Sequence, residues 1–316
     1  MTASLVESRW DDRACQGFPE EQLLLYRSHL LGSDLRVTNF AGGNTSAKIL
    51  GRDPLSNAPA TVLWVKGSGG DVGSMQLDGF ATLYLERLLA LEARYRGKAH
   101  EDEMVGLLPH CTFGLNPRAA SIDTPLHAFV PHAHIDHMHP DGVIALACSR
   151  AGERLTAEVF GGAIGWIPWQ RPGFDLGLQL GRFCRDFPHS RGAVLGGHGL
   201  ITWGDTSRAC YENTIECIQK AEAFLAARRK SPAFAGVATA TLAAAERERI
   251  AVAAMPALRG QLSTKVRKLG HFVDSPEKVF RRCEGVCLLA AVQPSRVFVH
   301  LFLVPPLQPG PVLSLG

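Results

Sequence analysis

The chain is predicted to fold as an α/β protein, because segments with apolar residues at helical spacing alternate with short β-rich runs bounded by glycine turns. The clearest helical segment is Ser207 to Arg229, with periodic Ala, Ile and Leu. The clearest extended runs are Thr61-Val-Leu-Trp-Val65 and Leu200-Ile-Thr-Trp203. Hydrophobic residues at 46% and charged residues at 20% allow a sizeable packed core and exclude a disordered chain. A length of 316 residues permits one large domain or two.

The elements come in order along the chain. Leu23, Leu24, Tyr26, Leu30 and Leu31 recur at helical spacing between Glu20 and Leu31, and Gly32 closes that helix. Gly42-Gly-Asn-Thr-Ser46 reads as a turn, followed by a short apolar piece, a turn at Asp53-Pro54 and the Thr61–Val65 strand. Leucines at 83, 85, 88, 89 and 91 predict a second helix from Phe80 to Arg94. Val143–Ala147 and the glycine-interrupted Val159–Ile167 read as strands meeting a tight bend. Val194-Leu195, the Gly196-Gly-His-Gly199 turn and Leu200–Trp203 form a strand, turn and strand, and Asp205-Thr206 caps the long helix after them. An Ala-rich charged helix is expected around 238–254, and no element is assigned to the last twenty residues, with their Pro305-Pro306 and Pro309-Gly-Pro311.

A net charge of +3, from 33 basic and 30 acidic residues, is too balanced for a dedicated nucleic-acid surface. The first residues, MTASLVESRWDDRACQ, carry acids and no apolar signal core, and no stretch supplies the ~18 apolar residues of a membrane span, so a cytoplasmic location is expected. Eight cysteines, at 15, 111, 148, 184, 210, 217, 283 and 287, include no CxxC pair and read as reduced thiols. Cys283 and Cys287 could share a helical face, but no nearby ligands complete a zinc site.

Pro131 to Asp141 holds four histidines, at 132, 134, 137 and 139. Alternate residues of an extended segment share a face, and neutral imidazole suits borderline divalent metals, so His137 and His139 form half of a metal site. His198, inside Gly-Gly-His-Gly, is the best third ligand, since small neighbours allow close approach. His132 and His134 form a competing pair, read as supporting or structural. Asp136 and Asp141 could orient ligand rings by accepting their second N–H, and Asp141 could equally cap an element beginning after Pro140. Gly67 to Gly73 does not fit the GxGxxG dinucleotide spacing, and no P-loop is present.

These residues resemble the class II aldolase/adducin family, which includes fuculose-phosphate and rhamnulose-phosphate aldolases, ribulose-phosphate 4-epimerases and methylthioribulose-phosphate dehydratases. The matches occur in family order: Gly43-Asn44-Thr45-Ser46, Lys66-Gly67-Ser68-Gly69-Gly70, Ser121-Ile122-Asp123 at the Ser-Ser-Glu motif, His137-Met138-His139, and His198-Gly199. Ser121–His127 and Asp136–Asp141 are most similar to the bifunctional branch that fuses a rhamnulose-phosphate-type aldolase to a C-terminal short-chain dehydrogenase. After about Pro276 the sequence departs from that branch and shows no Gly-x-x-x-Gly-x-Gly loop, so dehydrogenase activity is not expected.

The resemblance implies a three-layer α/β fold with a mainly antiparallel central sheet flanked by helices, over residues 1–279, with 280–316 a divergent tail. It implies a divalent metal, usually zinc, on His137, His139 and His198, which binds substrate oxygens and stabilises the enediolate of a cleaved ketose 1-phosphate. Asp123 would be the proton-moving carboxylate, one methylene shorter than the family Glu. Asn44 and Ser46 in the first turn, Ser68 and Gly69 in the second, and Ser121 would hold the phosphate, with one donor missing because the second family Ser is Ile122. The implied reaction is retro-aldol cleavage to dihydroxyacetone phosphate and an aldehyde such as lactaldehyde. Epimerase or dehydratase chemistry on a related sugar phosphate, or an inert adducin-like binding module, are the alternatives. Homo-oligomeric assembly, a tetramer in the family, is implied as well.

Overall fold

The computed structural model describes residues 6–40, 42–228, 242–262, 289–293 and 296–300. The chain divides into two compact units, 1–228 and 229–316. Every candidate site residue lies in the first.

That unit runs α1 (Glu20–Gly32), β1 (Asn44–Arg52), β2 (Pro59–Lys66), β3 (Phe80–Tyr84), α2 (Leu85–Ala90), α3 (Glu101–Leu107), α4 (Thr124–Phe129), β4 (His134–Met138), α5 (Asp141–Ala147), α6 (Gly152–Phe160), β5 (Ile164–Ile167), α7 (Phe174–Asp186), β6 (Gly192–Leu195), β7 (Gly199–Gly204) and α8 (Ser207–Arg228). The strands form one sheet in the order β3-β2-β1-β4-β7-β6-β5. Only the β5–β6 pair is parallel; the other neighbours are antiparallel. The expected mainly antiparallel sheet between helices is the observed architecture. No helix among the described residues is long and apolar enough to cross a membrane.

Alternation along the central strands builds the two outer layers. Val194, Leu200 and Met138 pack with Leu31 of α1, Val143 and Leu146 of α5, Phe160 of α6 and Tyr211, Ile215 and Ile218 of α8. Their strand neighbours Ala193, Leu195, Ile201, Trp203 and Ile135 face the other way, onto Leu126 of α4 and Leu176 and Leu180 of α7. An ion pair with no solvent exposure ties the first layer together: Arg27 Nε of α1 lies 2.9 Å from Asp136 Oδ1 of β4. The same guanidinium donates to the Ser46 carbonyl at 2.7 Å and the Ser207 hydroxyl at 3.1 Å. Burial pushes the Asp136 carboxyl up and Arg27 opposes it; with the guanidinium in contact we describe the pair as charged.

The expected helix at 20–31, the long helix as far as Arg228, the Asp53-Pro54 turn and the strand–turn–strand around His198 are present, and 229 lies outside the described residues. Thr206 Oγ1 caps the long helix by accepting from the Ala209 amide at 3.1 Å. Four expectations need correction. Phe80–Tyr84 is a strand, paired Leu63↔Leu83 with β2, and the helix starts only at Leu85. All five residues are buried, so the run carries no period by which to separate strand from helix. Val143–Ala147 belongs to helix α5, launched from the extended Pro140 (φ −75°, ψ 135°). Val159 and Phe160 end helix α6, which Gly161 stops at φ 61° before β5 begins. Asn44 and Ser46 lie in β1, not in the turn before it.

In the second unit, α9 (Ala244–Leu262) starts later than expected, and 238–241 lie outside the described residues. Strands β8 (Leu289–Gln293) and β9 (Arg296–His300) form an antiparallel hairpin, so the last twenty residues begin in a strand. Cys283 and Cys287 also lie outside the described residues.

Candidate active site

The sheet gathers the site at one end. The register places Lys66 at the end of β2, Asn44 at the start of β1 and opposite His137, and Gly199 at the start of β7 opposite Leu195 of β6. Opposed residues of an antiparallel pair share a face, so Asn44 stands beside His137.

His137 Nε2 lies 3.1 Å from His139 Nε2 and 3.2 Å from His198 Nε2. The three ring nitrogens all fall within 4.8 Å of one another. His137 Nδ1 lies 3.0 Å from the Leu200 carbonyl, which can only accept, so the proton sits on Nδ1 and the Nε2 lone pair points into the cluster. Burial holds all three rings neutral: His137 is pushed well below the usual range, His139 down to about 4, and His198 also down. Two nitrogens at about 2.0–2.1 Å from one tetrahedral ion stand about 3.3 Å apart, so the spacing fits a shared divalent metal. Gly199 makes the room, since a Cβ there would meet the Met138 carbonyl at 2.7 Å and His139 Cδ2 at 2.9 Å. His198 Nδ1 is buried without a protein partner, so this ring is placed by the backbone of its turn.

The other histidines take other duties. His132 stacks on Trp203 at 5.8 Å and bonds Asp205, and His134 lies 3.6 Å from Glu20. Neither belongs to the cluster. Asp136 binds Arg27 and accepts from Thr214 at 3.2 Å, so the partner that orients His137 is a backbone carbonyl instead. Asp141 is the first residue of α5.

Asp123 precedes α4 without capping it, and its Oδ1 is buried with no hydrogen-bond partner. Burial raises its pKa to about 6, against the lowering charge of Lys66 and the Ser121 hydroxyl. A carboxyl poised there can give or take a proton near neutral pH. Ser121 Oγ accepts from the Asp123 amide at 3.2 Å, which fixes the two together.

The expected anion donors divide. Ser68 and Gly69 are exposed after β2, and Gly69 and Gly70 have φ of 75° and 77°, with open space where a Cβ would stand. The Ser68 amide is spent on the Ala119 carbonyl at 2.9 Å, so its hydroxyl and the glycine amides beyond it are what the loop can offer. Ser46 is fully buried and its hydroxyl bonds His127 Nδ1 at 2.8 Å. Ile122 lines a small crevice with Met104, Val105, Leu108 and Phe174. Sequence reading gave Lys66 no role. It is 4% exposed, has no ion pair among the described residues, and is lowered by burial while Asp123 and Asp71 raise it. The signal was available: a lysine directly before a glycine–hydroxyl loop.

A seven-stranded α/β fold carrying three converging neutral histidines and a buried carboxyl at one sheet end defines a candidate divalent-metal site for acid–base chemistry. The sequence matches the family described as Class II Aldolase and Adducin N-terminal domain over residues 22–225, and the chain belongs to that family. It is 36% identical over 272 residues to the uncharacterized oxidoreductase YuxG of Bacillus subtilis (strain 168), covering 85% of this chain but 39% of that protein's length. Its structure resembles the N-terminal class II aldolase domain of a conserved protein from Thermoplasma acidophilum, with a TM-score of 0.64 and 28% identity over 70% of this chain and 99% of that one. L-fuculose-1-phosphate aldolase from Thermus thermophilus aligns with a TM-score of 0.44 and 14% identity over 66% of this chain and 93% of that one.

Proposed function

We propose that this chain is a metal-dependent aldehyde-lyase that cleaves a ketose 1-phosphate resembling rhamnulose 1-phosphate to dihydroxyacetone phosphate and a short aldehyde. The observation that carries the reading is the convergence of His137, His139 and His198 as neutral imidazoles. A divalent ion such as zinc would be held by His137, His139 and His198 and would supply Lewis-acid stabilisation of the negative charge that develops at the substrate carbonyl oxygen. The Asp123 carboxylate takes the hydroxyl proton whose departure opens the carbon–carbon bond, and returns a proton to the carbon left behind. The shorter Asp side chain reaches the proton only if it approaches to about 2.6–3.2 Å in the complex. Lys66, Asn44, Ser68, Gly69 and Ser121 hold the phosphate, with Ser46 bracing this wall through His127.

The reading extends to the whole chain: 1–279 as the aldolase part of the bifunctional aldolase/short-chain dehydrogenase proteins, 280–316 as a divergent tail, a cytoplasmic location, and homo-oligomeric (tetrameric) assembly. A relative that is named an oxidoreductase and is longer than this chain supports the bifunctional link. The test is product analysis of rhamnulose 1-phosphate turnover by zinc-loaded protein. Equimolar dihydroxyacetone phosphate and lactaldehyde supports the lyase. An epimer or a dehydrated product assigns the site to another chemistry of the family, and no turnover with metal bound assigns the fold a binding role.

A further inference from the structure

Three buried side-chain atoms along one face of α4 have no hydrogen-bond partner among the described residues: Asp123 Oδ1, Thr124 Oγ1 and His127 Nε2. Thr124 and His127 have no solvent exposure. Asp123, the residue before the helix, already has helical dihedrals (φ −81°, ψ −5°). Positions three and four apart on a helix are neighbours with Cβ atoms about 5–6 Å apart, so Thr124 and Asp123 both stand beside His127. This face lies on the sheet, because His127 Nδ1 is 2.8 Å from Ser46 Oγ of β1. Pro125, on the opposite side, lies on α7, where a Cβ at Gly177 would meet the Pro125 carbonyl oxygen at 2.7 Å.

A buried donor or acceptor without a partner is destabilising, and such groups are regularly joined by an ordered water that makes about three hydrogen bonds. The chemistry of these three atoms fits one water. The Asp123 carboxylate only accepts, the Thr124 hydroxyl donates or accepts, and His127 Nε2 carries a lone pair or a proton according to the direction of the Ser46 bond. With Ser46 Oγ accepting from Nδ1, the water donates to Asp123 Oδ1 and His127 Nε2 and accepts from Thr124. With Ser46 donating, it accepts from Nε2 and donates to Asp123 and Thr124. Either arrangement satisfies all three atoms with a neutral imidazole, and His127 is pushed down to about 3 by burial, then by Lys48 of β1 and Arg27 of α1. The charge that acts on Asp123 is Lys66 of β2, and the Ser121 hydroxyl is its other polar neighbour.

We propose that Asp123 Oδ1, Thr124 Oγ1 and His127 Nε2 hold one buried water, which fixes the Asp123 carboxyl from behind and leaves its second oxygen to the substrate. Thr124 and His127 are then positioning residues: neither touches the substrate, and each acts on the carboxyl through the water. The chain from Ser46 through His127 and the water ties Asp123 to β1, the strand that also sets Asn44 opposite His137. The task given to the carboxyl rests on the lyase reading above, whereas the water itself does not.

The test compares the full chain with Thr124→Val and Thr124→Ser. The Asp123 carboxyl is titrated by carbon NMR in metal-free protein, with urea unfolding alongside. Loss of a hydrogen bond to the charged form raises a carboxyl pKa, so Thr124→Val is expected to move Asp123 up by about one unit and to lower the urea midpoint, while Thr124→Ser keeps both near wild type. An unmoved Asp123 in Thr124→Val overturns the proposal, and a raised urea midpoint overturns it too, because removing an unpaired hydroxyl is favourable. If Thr124→Val does not fold, a crystal structure of wild type decides: a water within about 3.2 Å of all three atoms supports the proposal, and none there overturns it. In zinc-loaded protein acting on rhamnulose 1-phosphate, Thr124→Val is expected to lose about tenfold in kcat at a given pH on the acid limb, with the plateau and KM within about twofold of wild type. Wild-type turnover with Asp123 unmoved in the variant removes the water and leaves the lyase. A moved Asp123 in a protein without turnover removes the lyase and leaves the water.

Discussion

The imidazole of His137 and the carbonyl of Leu200 are joined across β4 and β7 at 3.0 Å, and this one bond fixes which nitrogen of the central histidine faces the cluster. The opposite side of the cluster depends on an absence of atoms, since Gly199 leaves the volume that His139 occupies. Gly199→Ala is expected to displace His139 and weaken zinc binding about 10–100-fold, the range found when the surroundings of metal ligands are disturbed. Chelator competition at equilibrium measures it. Unchanged affinity would show that the His139 position does not govern binding.

Asp123→Asn separates stability from chemistry. The folded carboxyl titrates near 6, above an ordinary aspartate, so it favours the native state below about pH 4 and that contribution is lost as pH rises through 6. Metal-free Asp123→Asn is therefore expected to exceed wild type in stability at pH 7.5 by about 3 kcal/mol, with most of the difference gone near pH 4. Its turnover should fall about 10²–10⁴-fold. Urea unfolding at the two pH values, with a turnover assay, reads both; a variant less stable than wild type at pH 7.5 contradicts the assignment.

Arg27→Met leaves Asp136 charged and buried without its partner, which is expected to cost about 3–5 kcal/mol. Adding Asp136→Leu should recover part of that loss, because the orphaned charge is then removed as well. Thermal and denaturant unfolding of both variants decide it, and a single variant within about 0.5 kcal/mol of wild type would show that the pair is dispensable.

Lys66→Met removes a cation that has no ion pair of its own among the described residues. If it meets the substrate phosphate, KM for the phosphorylated ketose should rise about 10–100-fold, the worth of a charge-assisted hydrogen bond, while zinc content stays at the wild-type level. An unchanged KM would place the phosphate elsewhere.

Much of this architecture was legible in the sequence, and the misreadings share one cause. Glu20–Leu31 and Ser207–Arg228 were readable because each is long enough for its buried positions to recur at helical spacing, Leu24, Arg27, Ser28 and Leu31 in the first and Cys210, Thr214, Cys217, Ile218 and Ala221 in the second. Phe80–Tyr84 is buried throughout, and Val143–Ala147 is apolar at every position although only Val143, Leu146 and Ala147 are buried, so neither short run shows in its residue types the period that separates strand from helix. The His137, His139 and His198 set could be proposed from spacing and from the glycines around it, because ligand chemistry narrows the residue types. Partners drawn from distant segments could not. The Arg27 partner of Asp136 and the His127 partner of the Ser46 hydroxyl leave no local mark in the sequence. Those contacts span long separations in sequence and depend on which helix covers which face of the sheet.

The most direct test of the metal-dependent lyase is metal content by mass spectrometry on protein prepared without chelators, wild type beside His198→Ala, with dihydroxyacetone phosphate release from rhamnulose 1-phosphate followed on the same samples. The account predicts one zinc or equivalent divalent ion per chain in wild type, its loss in His198→Ala, and product release that disappears with it. Wild-type protein that binds no divalent metal, or that releases product equally well after His198→Ala, would contradict it.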